Sequence, residues 1–130
     1  LTGDIHTFFA GKVLRDGKSG PAVATELVGG STTSPGTAQV LAHQAPGGVL
    51  PPDLVEPLSD QGVPALNPWI TYADTRTHGC AVIELGPEEV RARYLGSRDV
   101  TTLDGSRDVR VIADLRVPRG VPDVQVVQRI

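Results

Sequence analysis

Glycine and proline set the first limit on what this chain can fold into. Its 15 Gly and 11 Pro recur along the whole of 130 residues, together about a fifth of the chain and above the usual background. Proline interrupts helices and sheet ladders, and glycine is the common residue of tight turns. Long helices therefore should not dominate, and short elements joined by many turns are expected. Aromatic residues are only 4% against 39% hydrophobic, so Val, Leu, Ile and Ala must do most of the packing. The length suits one domain over residues 1–130 with a respectable core.

The formal net charge is −3, which offers no basic face to a nucleic acid. No stretch approaches the ~20 apolar residues that span a membrane. Cys80 stands alone, so no internal disulfide can form. Leu1 is not an initiator, the chain has no Met, and no basic-then-apolar signal segment is visible. The first residues already read as the end of a buried strand, which needs neighbours. A fragment of a longer polypeptide is the expectation.

Along the chain, Leu1 to His6 reads as a strand end breaking into a loop. Phe8, Phe9 and Ala10 form either a short helical turn or a second buried run. Arg15 to Pro21 is a turn signal, and Ala22 to Val28 a strand. Thr37 to His43 suits a short helix, with Ser34 as cap and Pro35 at the first helical position. Ala45 to Pro64, within a Pro/Gly-rich stretch of about 44–66, reads as a long loop or lid with at most one turn near Leu54 and Val55. Strands return at Gly79 to Leu85, Val90 to Leu95 and Asp108 to Val117, the last two with period-two alternation. The tail is thus antiparallel β. The echo of Ser97-Arg98-Asp99-Val100 in Ser106-Arg107-Asp108-Val109 is too short to make a repeat.

The sharpest chemical signal is Gly3-Asp4-Ile5-His6. Residues two apart at a strand end share a face, so Asp4 and His6 aim a carboxylate and an imidazole at one point while Ile5 packs backward. Oxygen and nitrogen donors together suit Zn, Mn or Fe, and a carboxylate-rich remainder adds Ca. A capping Asp beside a hydrogen-bonded surface His is the bland alternative. Asn67 and Arg76 read either as contacts to a phosphate, for which an Arg fork is suited, or as a turn-forming Asn and a solvated loop Arg. Glu26 reads as structural, Ser31, Thr32 and Ser34 as backbone caps, His43 as solvated, His78 as a surface histidine and Cys80 as a buried, inert thiol.

Three segments, in order, resemble one family. Thr2-Gly3-Asp4-Ile5-His6-Thr7-Phe8-Phe9-Ala10 resembles the Gly-Asp-x-His segment of the PhoD-like alkaline phosphatases, within the calcineurin-like metallophosphoesterases. Ala24-Thr25-Glu26-Leu27-Val28-Gly29-Gly30-Ser31-Thr32-Thr33-Ser34 is similar to the family's Thr-Glu-Phe-Val-Gly-Thr-Ser run. Asn67-Pro68-Trp69-Ile70-Thr71-Tyr72 is similar to its Asn-Pro-x-x-x-Tyr segment, although Cys80 stands where a Tyr is expected. The resemblance implies an α+β fold, the carboxy-terminal part of a four-layer αββα sandwich, here mostly antiparallel β with long loops. It also implies hydrolysis of phosphate monoesters or diesters by two or more metal ions, Fe and Ca by resemblance, with Mn or Zn as alternatives. Asp4 and His6 would be the late ligands, and the amino-terminal part of the same enzyme would supply the earlier ones. The family further implies a secreted or cell-envelope location. The rival expectation is a non-catalytic β-rich binding or structural domain.

Overall fold

The computed structural model describes residues 1–44, 50–104 and 108–129. Two antiparallel sheets carry the fold. In the first, β1 (Phe8–Leu14) lies between β2 (Ala22–Val28) and β3 (Ile70–Asp74). Phe8 to Ala10 is thus the buried run and not a helical turn. The β1–β2 hairpin turns through Gly17 (φ 76°) and Gly20 (φ 81°), where only glycine adopts the left-handed backbone without strain. In the second, β4 (His78–Leu85), β5 (Glu89–Ser97), β6 (Arg110–Pro118) and β7 (Gln125–Arg129) follow one another as a meander. Between β2 and β3 the chain forms α1 (Thr37–Gln44) and α2 (Pro52–Leu66). The α+β, β-rich expectation holds.

The two sheets share one core. Phe8, Ala10, Leu27 and Tyr72 from the first sheet join Ala92, Tyr94, Ile112, Ala113 and Leu115 from the second, with Val124. Tyr94 lies at its centre, 4.9 Å from Phe8 and 5.8 Å from Tyr72 by ring centroids. Its hydroxyl donates to the Phe9 carbonyl at 2.7 Å, tying the second sheet to the first. On the other face of the second sheet, Arg91 pairs with Asp114 and Arg93 with Glu84. That division is the one period-two alternation requires for β5.

Of the stretch of about 44–66, residues 45–49 lie outside the described ones, and most of the remainder is helical, not a loop. Pro52–Leu66 is a helix of 15 residues with Pro57 and Pro64 inside it. Pro52 falls in the first turn, where its missing N–H costs nothing, but each interior proline removes one helical hydrogen bond. Polar anchors offset that loss. Asp60 Oδ1 accepts from the Thr75 N–H at 2.8 Å and from Thr75 Oγ1 at 2.7 Å, and Ser59 Oγ lies 2.6 Å from Thr75 Oγ1. Glu56 pairs with Arg76 and with Arg98. Val55, Glu56, Ser59 and Asp60 lie on one face at helical spacing, and most of that face is polar. An apolar period therefore does not mark it. Among the described residues, Val55 of α2 joins Ala38 and Ala42 of α1 in a small second cluster.

Candidate metal centre

Asp4 and His6 do not lie on an extended strand. Residues 4–7 form a bend leading into β1. Thr2, just before it, pairs in parallel with Val28. Within the bend Asp4 has φ 73° and His6 φ 56°, the two non-glycine residues with positive φ among the described residues. Left-handed backbone costs an L-residue roughly 1–2 kcal/mol, and such outliers cluster at functional sites. Ile5 is 50% exposed and does not pack backward into the core. The common exposure of Asp4 and His6 thus comes from two left-handed residues flanking Ile5, and not from strand alternation.

The bend is held from behind. Thr7 is fully buried; its Oγ1 accepts from the Thr37 N–H at 3.1 Å and lies 2.8 Å from Thr37 Oγ1. Gly36, which caps α1, is pressed against the same segment. A Cβ there would meet the Thr75 carbonyl oxygen at 2.6 Å and that of His6 at 3.1 Å, so only glycine allows this approach. The cap of α1 is therefore Gly36, and not Ser34 with Pro35 in the helix. Sequence reasoning missed Gly36, Thr37 and Gln39 as supports. The signal was present: Gln39 stands three residues after Gly36, the spacing of a capping box, and its Oε1 accepts from the Gly36 N–H at 2.5 Å.

The remaining candidates have internal partners. Asn67 caps the end of α2, its Nδ2 donating to the Val63 carbonyl at 2.8 Å. Arg76 follows β3 and pairs with Glu56 at 3.2 Å. To meet a phosphate, either side chain must first leave these partners. His78 is not on the surface: it is 5% exposed, with Nε2 2.8 Å from Gln39 Nε2. Burial, then the nearby Arg76 charge, lowers its pKa below the ordinary 6.5, against a smaller opposing effect of Asp74. Cys80 lies in β4 but is exposed, contrary to the buried thiol expected. Glu26 is exposed and accepts from Thr2 Oγ1 at 3.0 Å, and His43 is exposed as expected.

Asp4 and His6 fit a metal ion as donors. One offers carboxylate oxygen and the other imidazole nitrogen, both are exposed, and neither side chain is engaged by another described residue. They fit it as part of a set. Among the described residues no three His, Cys, Asp or Glu side chains gather closely enough to hold a metal, whereas Zn takes about four ligands and Ca six to eight.

The family model of the PhoD-like phosphatases matches residues 1–94, which include this bend, β1 to β4 and part of β5. The chain belongs to the PhoD-like phosphatase family. Among solved structures, one described as the structure of PhoD matches with a TM-score of 0.72 at 18% identity. That likeness covers 98% of this chain and 22% of the PhoD chain. At such identity it speaks to the fold alone. No curated protein matches the chain. Phosphatase membership gives the Gly3-Asp4-Ile5-His6 bend its chemical context: a carboxylate and an imidazole held on strained backbone, in a family named for phosphoryl chemistry.

Proposed function

We propose that this PhoD-like chain contributes Asp4 and His6 to the metal site of a phosphate-ester hydrolase whose other ligands lie in the amino-terminal part of the same enzyme. The observation that carries the reading is the paired left-handed conformation of Asp4 and His6 in an exposed bend, maintained by a buried threonine and a helix cap behind it. Strain of this kind persists where the surroundings over-determine it. When bound, two or more cations, Fe and Ca by family resemblance or Mn or Zn, would lower the pKa of bound water and offset charge on the phosphoryl oxygens. Asp4 and His6 would hold one edge of that cluster. Monoesters and diesters both suit the reading, and family resemblance supports a cell-envelope or secreted location for the whole enzyme.

A second feature favours a partner from the same enzyme. Thr2 donates its N–H to the Leu27 carbonyl at 3.1 Å and accepts from the Gly29 N–H at 3.0 Å, so it starts a parallel neighbour on the outer edge of β2. No strand among the described residues continues along that edge. A pocket there is lined by Leu1, Thr25, Leu27, Ile83 and Leu85, and Leu85 is 79% exposed. An open edge and an uncovered apolar strip both favour a further layer.

The test compares metal content and p-nitrophenyl phosphate hydrolysis of the longer enzyme with those of Asp4→Asn and His6→Ala. Loss of metal and of turnover in both is expected, and this chain alone should turn over far more slowly than the longer enzyme. Unchanged metal stoichiometry in both variants would favour the non-catalytic β-rich domain instead.

A further inference from the structure

Behind the bend runs a second layer of contacts that the metal reading does not use. Gln39 makes two bonds that fix each other's sense. Its Oε1 accepts from the Gly36 N–H at 2.5 Å, so the opposite end of the amide must be the NH2 group. That group lies 2.8 Å from His78 Nε2. A bond there requires Nε2 to accept, so His78 must be neutral with its proton on Nδ1. His78 is the first residue of β4 and 5% exposed, so its ring is set by the sheet. The contacts therefore run from β4 through His78 and Gln39 to Gly36, which lies so close to the bend that a Cβ on it would meet the His6 carbonyl oxygen at 3.1 Å.

We propose that Gln39 and His78 are positioning residues for the Asp4–His6 pair, acting through Gly36, and that they hold the pair in place only while His78 is neutral. The proposal rests on the reading of Asp4 and His6 as metal ligands. A protonated His78 would point Nε2–H at the Gln39 NH2. Turning the amide over would restore that bond but would set its NH2 against the Gly36 N–H. Either outcome loosens the cap on which the bend rests. The charged groups around His78 are Arg76, which opposes the proton, and Asp74, which favours it. Arg76 is itself paired with Glu56 from α2. Ser97, opposite His78 on β5, and Gln39 on α1 carry no charge.

The variant that separates positioning from mere structure is Gln39→Glu. A carboxylate still accepts from the Gly36 N–H, and it accepts equally from His78 Nε2–H, so the cap should survive at both protonation states. In the intact protein, 15N spectra of the His78 ring should show the Nδ1–H tautomer in the wild type and a titration moved upward in Gln39→Glu. Protection of the Gly36 amide, taken relative to its intrinsic exchange rate and measured without metal, should fall as pH falls through the His78 titration in the wild type but not in Gln39→Glu. Mn2+ affinity by calorimetry should follow the same two profiles. Gln39→Ala should weaken Mn2+ binding about 10-fold or more even at pH ~7.5, the size of effect typical behind a metal ligand. An Nε2–H tautomer in the wild type would overturn the proposal, as would Gln39→Ala with unchanged Gly36 exchange and Mn2+ affinity. An Asp4→Asn control separates the two readings. If Mn2+ binding ignores it, the ligand assignment fails, while tautomer and amide exchange still decide whether Gln39 and His78 hold the bend.

Discussion

At the scale of single residues, the bend sets function against stability. His6 carries φ 56°, a conformation that glycine adopts freely and other residues adopt only uncommonly. His6→Gly removes that strain, roughly 1–2 kcal/mol, while the greater freedom of glycine in the unfolded chain takes back about 0.4–1 kcal/mol. The expected result is unchanged or higher stability, by up to ~1.6 kcal/mol, with loss of the imidazole donor. Urea unfolding at constant m-value reads it. A clear loss of stability would mean that the His6 side chain supports the fold and is not held in place by it. The pair itself was legible, because an acid and a histidine two apart after glycine form a visible pattern. Its geometry was not, because residue type does not reveal that Asp4 and His6 are both left-handed and that Ile5 faces solvent. Those conformations are imposed from Gly36 and Thr37, some thirty residues away in sequence.

At the scale of elements, the strands were readable and α2 was not. Ala22–Val28 and the meander from β4 to β6 follow alternation and turn chemistry, which are local. In α2 the inward face is built from Glu56, Ser59 and Asp60 around Thr75, while Leu54 and Leu58 are 61% and 76% exposed. The usual apolar stripe is therefore inverted, and the prolines complete the disguise. This polar dock has a pH signature. Burial is the leading influence on Asp60 and raises its pKa above the ordinary 3.8, although its bonds from Thr75 pull the other way. Between 3.8 and that raised value the folded protein binds more protons than the unfolded one. The contribution of Asp60 to stability is thus greatest at low pH and is lost as pH rises through its folded pKa. Asp60→Asn keeps an oxygen for the Thr75 N–H and hydroxyl but cannot ionise. Relative to the wild type, its urea midpoint should therefore gain as pH rises from ~3.5 to 7 across that titration. His78 titrates in both proteins and cancels in the difference. A difference that does not change with pH would show that Asp60 is as well solvated folded as unfolded.

At the scale of the whole chain, the question is whether two sheets with few large side chains behave as one unit. Only Phe8, Tyr72 and Tyr94 supply aromatic rings to the shared core, and Tyr94 touches both of the others from the opposite sheet. Its hydroxyl is a polar tie between the layers, donating to the Phe9 carbonyl at 2.7 Å. Burial raises its pKa well above the usual range, so it stays a donor throughout the range in which the protein would be studied. Tyr94→Phe keeps the ring contacts and removes only the hydroxyl, leaving the Phe9 carbonyl without that donor. A cost of about 1–2 kcal/mol is expected, the range for one buried hydrogen bond. Truncation to Ala would also open a cavity and cost roughly 3–5 kcal/mol. If the sheets share one cooperative core, the variant should unfold in a single transition at lower urea with an unchanged m-value, because the same surface is exposed. Two transitions, with tyrosine fluorescence and β-sheet circular dichroism falling at different urea concentrations, would show that the sheets unfold separately. The bend carrying Asp4 and His6 would then rest on the first sheet and α1 alone. A single transition ties it, through β1, to the whole double layer.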